Sequence, residues 1–239
     1  MGDVTQSRRV RLRAEATSEI KAIALKHLAA SGPASISLRA IAREMGMSAG
    51  AIYSYFASRD DLITVLIADV HTALANLLEA AHRTARSDDP ASRMLAHATA
   101  YREWAITHPE EFRLVYGDPI PGYLSPTDGA GHEAAHRLCG VLLGVVGSAW
   151  PHMDTRRVGV REGWSDFQPG LVALARDSFP ELPPAAVGLC LRFWGRMHGL
   201  LALEVYGHLS HQVADPAKLY QSDMLEQIAM LGLSVPQEG

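Results

Sequence analysis

The chain has 239 residues, of which 48% are hydrophobic and 20% are charged. This balance supports a folded core and excludes an intrinsically disordered protein. The net charge of −4 argues against nucleic-acid binding through overall charge, but residues 1–59 carry nine Lys and Arg against four Asp and Glu, and the remainder carries 13 against 22. A basic N-terminal segment followed by an acidic remainder, here called the body (residues 60–239), is the distribution expected of a DNA-binding module joined to a second domain.

Membrane insertion and export are not expected from the sequence. We find no run of about 18 apolar residues that could span a bilayer. The N-terminus is charged and lacks the apolar centre of a signal peptide. The chain has two cysteines, Cys139 and Cys190, which we expect to be buried, reduced thiols of a cytoplasmic protein.

Apolar residues at helical spacing predict helices along most of the chain and therefore an all-α fold. The first helices are expected over 13–30, 38–45, 48–55 and 58–86, and Ser58 is suited to cap the last of these. Further helices are expected over 91–107, 109–116, 132–149, 171–178, 184–209 and 216–232. Segments rich in Pro and Gly, at 117–131 and 150–170, are expected to be irregular.

The segment from Ser37 to Phe56 has the features of two short helices that cross at a steep angle. Ser37 and Ser48 are suited to cap the two helices, and Gly46 permits a left-handed turn between them. Ala42 is small where the helices would approach each other. The inner faces are expected to be formed by Ile41, Met45, Met47 and Ile52. Together these features predict a helix-turn-helix, whose second helix enters the DNA major groove.

The outward side of the second helix is unusually small. Ala49, Gly50 and Ala51 would let the backbone approach a groove closely, while Tyr53, Ser54 and Tyr55 remain available for contacts. A helical hairpin without a DNA role is the alternative.

At these residues the sequence resembles the tetracycline-repressor-like (TetR) family. That family has a small Ser/Gly-rich recognition helix followed by Tyr-x-His-Phe, a Lys and later a Leu. The matching residues are Ser37, Ile41, Ala42, Gly46, Ser48, Gly50, Tyr53, Phe56 and Leu62. Met45, Tyr55 and Arg59 replace the family's usual Ala, His and Lys, and Tyr55 changes how a phosphate would be contacted.

The resemblance implies a role for each residue, following the general division between phosphate contacts that position and base contacts that specify. The residues expected at phosphates are Ser37, Tyr53, Tyr55 and Arg59. Those expected at base edges are Arg39, Ser48, Ala49, Gly50 and Ser54. Tyr53 could instead belong to the core. The cluster from Arg8 to Arg13 could form a minor-groove arm or a solvated tail.

The body carries a second, shorter resemblance. Residues 192–199 look like the Trp-x-x-x-His-Gly (WHG) signature of one C-terminal subclass of the family. Gly195 and Gly199 would let another backbone pack closely, which suits a four-helix dimer interface formed with the helix over 216–231. His198 could touch a ligand or be a packed interface histidine.

Aromatic residues of the body could line an apolar ligand cavity, although plain core packing is the alternative for each. The expected ligand-binding residues are Trp104, Phe112, Tyr116, Trp150, Trp164, Phe167, Trp194 and His198. No metal site is expected, because His208, His211 and Asp215 lack further ligands. No cofactor is expected either, and since no catalytic motif occurs, we predict that the protein is not an enzyme.

The domains expected are a three-helix DNA-binding domain over 1–60, with 1–12 as a flexible arm, and a helical dimerisation and ligand-sensing domain over 61–239. The predicted function is a cytoplasmic homodimeric repressor. A small apolar or aromatic ligand would release it from a palindromic operator in double-stranded DNA. Two alternatives remain open, a DNA-binding regulator without a small-molecule effector and an enzyme with a DNA-targeting head.

Overall fold

A computed structural model describes residues 2–85, 89–159 and 161–234. Within these residues the chain is helical and has no β-strand, which confirms the predicted all-α fold. The helices are α1 (Gly2–Ser31), α2 (Leu38–Glu44), α3 (Ala49–Ile52), α4 (Arg59–Thr84), α5 (Pro90–Thr107), α6 (Pro109–Tyr116), α7 (Gly129–Ala149), α8 (Thr155–Val158), α9 (Pro169–Ser178), α10 (Pro184–Val205) and α11 (Pro216–Met230). The predicted end of α4 at residue 86 lies outside the described residues.

The helix starts follow the capping residues read from the sequence. The hydroxyl oxygens of Ser37, Ser48 and Ser58 accept hydrogen bonds from the amides of Ala40 (3.5 Å), Ala51 (3.2 Å) and Asp61 (3.0 Å). Each bond satisfies an amide that has no partner within its own helix. Gly46 follows α2 with a φ of 66°, the left-handed conformation that glycine adopts without strain.

The first helix is longer than predicted. It begins at Gly2 instead of near residue 13, so the flexible arm expected for residues 1–12 is helical over 2–12. The reason is that residues 3–31 contain neither Pro nor Gly, and nothing in them interrupts helical hydrogen bonding. The Arg11–Glu15 ion pair at 3.7 Å has the i, i+4 spacing that supports this extension.

Contacts divide the chain into two compact units. The first comprises residues 1–70 and 109–133, and the second comprises 71–108 and 134–239. The first unit therefore holds α6 and the start of α4 in addition to the expected domain over 1–60. Its fully buried side chains include Ile20, Ile41, Ile52, Leu62 and Phe112.

In the second unit, α5, α10 and α11 pack against one another. The buried hydroxyl of Tyr220 donates to the carbonyl of Ala98 (3.0 Å). The guanidinium of Arg196 on α10 donates hydrogen bonds of 2.6 and 2.9 Å to the carboxylate of Asp223 on α11. These contacts fix α10 and α11 side by side. Of the two free cysteines, Cys190 is buried as predicted, whereas Cys139 is exposed on α7.

By length and hydropathy, α4 is the described helix that could cross a membrane. Along its length Leu62, Leu66 and Leu74 are buried in the protein. Its exposed Asp69 accepts a hydrogen bond from Lys21 at 2.6 Å. A core helix has the same composition, so α4 is only weak evidence for a membrane span.

A pair of histidines is packed inside the second unit. The Nε2 atom of His82 and the Nδ1 atom of His97 lie 2.8 Å apart, and His97 is 2% exposed. Burial, with a smaller contribution from His82, lowers the pKa of His97 to about 3. The folded protein therefore keeps His97 neutral at pH values where an unfolded chain would protonate it.

This pKa shift predicts a loss of stability in mild acid. The unfolded chain binds a proton at His97 below about pH 6.5 and the folded chain only near pH 3, so stability is present above this window and is lost as the pH falls into it. Between about pH 7 and pH 5, His97 is expected to lower the free energy of unfolding by about 2 kcal/mol. Urea unfolding of wild type and His97→Phe at both pH values checks this. An equal loss in the two proteins would show that other groups cause it.

Candidate nucleic-acid interface

The helix-turn-helix in the first unit is formed by α2 and α3. Ile41 and Ile52 are fully buried, and Ala42, next to Ile41 in α2, is 1% exposed. Met45 and Met47 are half-buried, so they lie at the edge of this core and not at its centre. The amide of Met47 donates to the carbonyl of Ala42 (2.8 Å) and ties the turn to α2.

The opposite side of α3 is open to solvent. Ser48, Ala49 and Gly50 are exposed, and a Cβ placed on Gly50 would meet no atom of the described residues within 4 Å beyond the adjacent helix backbone. Tyr53 is 44% exposed, which excludes the alternative that it belongs to the core. Arg39 on α2 is also exposed. The surface expected to face DNA is therefore accessible. Its side chains are small, so they would not prevent the backbone of α3 from approaching the bases of a groove.

Helix α3 is shorter than the predicted 48–55. After Ile52 the chain continues in tight turns, in which the amides of Ser54 and Tyr55 donate to the carbonyls of Ala51 (3.1 Å) and Ile52 (2.9 Å). The hydroxyl of Ser54 also donates to the carbonyl of Ala51 (2.7 Å). The Ser54 oxygen can still accept a hydrogen bond from a base.

Arg59 has internal partners that the sequence did not indicate. Its Nε donates to the carbonyl of Ile36 (3.0 Å) and its Nη1 to the carbonyl of Pro121 (3.4 Å). The guanidinium also lies 3.6 Å from Asp60. Arg59 thus ties the start of α4 to two segments of the first unit, and its expected contact with a phosphate stays a prediction.

Arg13 lies beside the turn after α3, which sequence reasoning also missed. Its guanidinium stacks 4.9 Å from the centre of the Tyr55 ring, and its Nη2 donates to the carbonyl of Ser54 (2.6 Å). A cation over an aromatic face is attracted by the ring's electron density. A signal was present in retrospect, because Tyr55 replaces a histidine and Arg13 is one of four arginines between residues 8 and 13.

A second link holds α1 against α2. The carboxylate of Glu44 accepts from Lys26 (2.7 Å) and lies 2.8 Å from the Nε2 of His27. These hydrogen bonds, the Lys26 bond first, lower the pKa of Glu44. Glu44 therefore stays ionised and neutralises part of the basic charge of the first unit on the α1 side of α2.

Two of the expected ligand-binding aromatics lie in the first unit. Phe112 and Tyr116, with ring centres 5.3 Å apart, belong to the first unit, and Phe112 is fully buried there. The sequence does not indicate that α6, which follows α5 directly, packs against α1. The expected contact of Phe112 and Tyr116 with a ligand stays a prediction.

The remaining aromatics lie in the second unit. Tyr101 bonds the Nδ1 atom of His198 at 3.0 Å and stacks with Trp104 at 6.0 Å. Trp194 lies 5.6 Å from the His198 ring. His198 thus has a hydrogen-bonding partner within the protein, Tyr101, as expected of a packed histidine. In the segment after α7, the aromatic residues Trp150, Trp164 and Phe167 are half-buried, and Arg176 stacks over Trp164 at 4.7 Å.

A cleft of about 420 Å³ opens in the second unit between α4, α7 and α9. It is lined by Glu79, His82, His136, Arg137, Gly140, Val141, Gly144, Leu174, Ser178 and Phe179. None of the eight residues predicted to bind a ligand is among them. Arg137, one of the lining residues, donates to Glu79 (2.7 Å) and to Asn76 (2.7 Å), and Val141, Leu174 and Phe179 add apolar side chains to the lining. Such a site suits a ligand with an apolar body and a polar group.

Comparison with known proteins gives two matches to domain families. Residues 20–66 match the family described as bacterial regulatory proteins, tetR family. Residues 94–226 match the family described as tetracyclin repressor-like, C-terminal domain. The finer resemblance to the WHG subclass stays a prediction.

Whole-length similarity agrees with these matches. The HTH-type transcriptional regulators Rv1816 of Mycobacterium tuberculosis and Mb1846 of Mycobacterium bovis are each 31% identical over 95% of this chain and 98% of their own. The crystal structure of the regulatory protein SCO4313 is 33% identical, with a TM-score of 0.72 over 93% of this chain and 98% of that one. A tetR-family regulatory protein from Rhodococcus RHA1, 19% identical with a TM-score of 0.60, shares the fold. The chain therefore belongs to the TetR family and is a DNA-binding transcriptional regulator.

Proposed function

We propose that the protein is a cytoplasmic homodimeric repressor that binds a palindromic operator through α3 and its flanks. The observation that carries this is the open surface of α3, where Ala49 and Gly50 are exposed. Apart from neighbouring backbone of its own helix, no atom of the described residues lies within 4 Å of the Gly50 Cβ position. In this proposal the base edges are read by Arg39, Ser48, Ala49, Gly50 and Ser54. The phosphates are bound by Ser37, Tyr53, Tyr55 and Arg59.

Base reading by α3 is tested with Gly50→Leu. Because the site is open, the variant should fold normally, but its side chain would separate the backbone from the base edges. We expect loss of about 1–3 kcal/mol of binding free energy per changed contact and a changed preferred sequence. Selection from random DNA with both proteins measures the preference. Gly170→Leu, at an equally open glycine in α9, is the control. An unchanged sequence logo for Gly50→Leu would place the reading surface elsewhere.

The proposed dimer surface is a stripe on α10. Leu191, Gly195, Gly199 and Leu203 follow one another at intervals of four residues and are all exposed, so they share one helical face. Among residues 2–85, 89–159 and 161–234, a Cβ on either glycine would meet no atom within 4 Å other than the adjacent backbone of α10. On neighbouring α11, Leu219 is 39% exposed and Met230 is 58% exposed. Small residues between exposed leucines fit the close approach of a second copy of α10 and α11.

The proposed effector site is the cleft in the second unit. Its volume of about 420 Å³ lies within the range of small-molecule sites. Val141, Leu174 and Phe179 offer apolar contact, as an apolar or aromatic ligand requires. Glu79 and His82, which also line the cleft, belong to α4, and this helix starts four residues after the turn that ends in Tyr55. A ligand against α4 can therefore act on the helix that leads to the DNA-binding elements.

Effector release is tested by thermodynamic linkage. A compound found by its effect on the melting temperature is titrated with and without the selected DNA, following tryptophan fluorescence. We expect DNA to weaken ligand binding by roughly 5–150-fold, since linkage makes the coupling reciprocal. Leu174→Arg should abolish ligand binding and leave DNA binding intact. Equal ligand affinities in the two titrations would favour a regulator without a small-molecule effector.

A further inference from the structure

The N-terminal part of α1 presents a basic face. Arg8, Arg9, Leu12 and Arg13 are related by i, i+4 spacing, so they lie on one side of the helix. With Ser54 and Tyr55 they line a cleft of about 480 Å³. Arg8 and Arg9 are exposed, and no acidic residue is among the six that line this cleft. Arg11 points away from it and pairs with Glu15 at 3.7 Å.

This face is held against the recognition element. Arg13 stacks on Tyr55 at 4.9 Å and donates to the Ser54 carbonyl at 2.6 Å. These two residues form the turn directly after α3. Arg8 and Arg9 are therefore presented on the same cleft as the C-terminal side of the DNA-reading helix, by a helix that Arg13 anchors.

The shape of the segment limits what it can contact on DNA. An α-helix with its side chains is about 10–12 Å wide, whereas the minor groove of B-DNA is about 6 Å wide. A helical extension cannot enter that groove as an extended arm does. Guanidinium groups on its surface can instead reach phosphate oxygens, to which they bond in a bidentate manner.

We propose that Arg8 and Arg9 bind backbone phosphates of the DNA next to the bases read by α3, with Arg13 and Tyr55 positioning the extension. This contact lies outside residues 20–66, which match the family's DNA-binding domain. It contributes affinity without sequence preference, because phosphates carry no base information. It rests on the DNA-binding mode proposed for α3, and it adds a second point of attachment to each protomer.

The experiment compares arginines on the two sides of the same helix. Arg9→Gln and Arg11→Gln remove the same charge two residues apart, but only Arg9 lines the cleft. Affinity for the selected duplex, and for a duplex of mixed sequence, is measured by fluorescence anisotropy over a series of KCl concentrations. For Arg9→Gln we expect the slope of log K against log salt to flatten by about 0.9 per bound protomer, with the preferred bases unchanged. For Arg11→Gln we expect the slope of the wild type.

Further variants separate the proposal from a structural effect. Arg9→Lys keeps the charge and should restore the slope, and the melting temperature of all three variants should stay near that of wild type. Equal flattening for Arg9→Gln and Arg11→Gln would reduce the effect to long-range charge and overturn the proposal. An unchanged salt slope for Arg9→Gln would show that the N-terminal part of α1 is a solvated helix without a DNA contact. A changed base preference would show that it reads bases instead of binding phosphates. Either result would overturn the proposal. Failure of the wild type to select any duplex would instead count against the function proposed for α3.

Discussion

Gly199→Glu is expected to make the protein monomeric while each chain stays folded. In the described part of the chain, no atom beyond the adjacent backbone of α10 lies within 4 Å of the Gly199 Cβ position. Glu also has a higher helix propensity than Gly by roughly 0.5–1 kcal/mol. In the proposed dimer the same carboxylate would be buried opposite its copy without a partner. An unpaired buried charge costs about 3 kcal/mol or more, which corresponds to at least about a 100-fold rise in the dimer dissociation constant.

Sedimentation velocity over a concentration series measures this shift, and circular dichroism checks the fold. Gly170→Glu, at an exposed and open glycine of α9, is the matched control and should stay dimeric. Loss of the dimer should also abolish tight binding to a two-fold symmetric site, since one half-site provides too few contacts. If the Gly199→Glu protein remains dimeric, the α10 stripe is not part of the dimer interface.

Phe112→Ala is expected to destabilise the first unit by about 3–5 kcal/mol, the usual cost of removing a buried phenyl ring. Phe112 is fully buried in α6, which packs against α1 within this unit. Urea unfolding gives the free energy. Hydrogen exchange should show the earliest loss of protection in α1, α2 and α6, and DNA affinity should fall with it.

Phe167→Ala is the control for this variant, because it deletes the same ring from a half-buried position of the second unit. It should cost less and leave protection of α1 and α2 unchanged. The comparison also decides between the two roles considered for Phe112. A variant that kept its stability and lost ligand affinity would return Phe112 to the lining of an effector site.

The parts of the fold that were predictable from the sequence depend on local interactions. Ser37, Ser48 and Ser58 cap helices because a serine side chain reaches an amide three residues away. Gly46 ends α2 because of its own backbone freedom. The spacing of Ile41, Ala42 and Ile52 likewise showed which faces are buried. Capping and periodicity act over a few residues, so one sequence suffices to recognise them.

The parts that were not predictable depend on residues far apart in the chain. The bonds from Arg59 to Ile36 and Pro121 span 23 and 62 residues, and no local pattern indicates them. The stacking of Arg13 on Tyr55 requires α1 to continue back to Gly2, where the sequence suggested a flexible arm. The aromatic residues of the body were grouped by their position along the chain, and packing assigned Phe112 to the other unit.

The division of α4 between the two units limits how this regulator can be recombined with others. The boundary lies between Val70 and His71, inside a helix that continues from Arg59 to Thr84, and there is no loop at which to join a foreign sensor. A chimera cut at residue 60 would leave α6, with Phe112, behind. A graft within α4 must also keep the helical phase, because each inserted residue turns the two parts of the helix by about 100° and separates them by about 1.5 Å. Working hybrids should therefore recur when the inserted length is close to a whole number of helical turns.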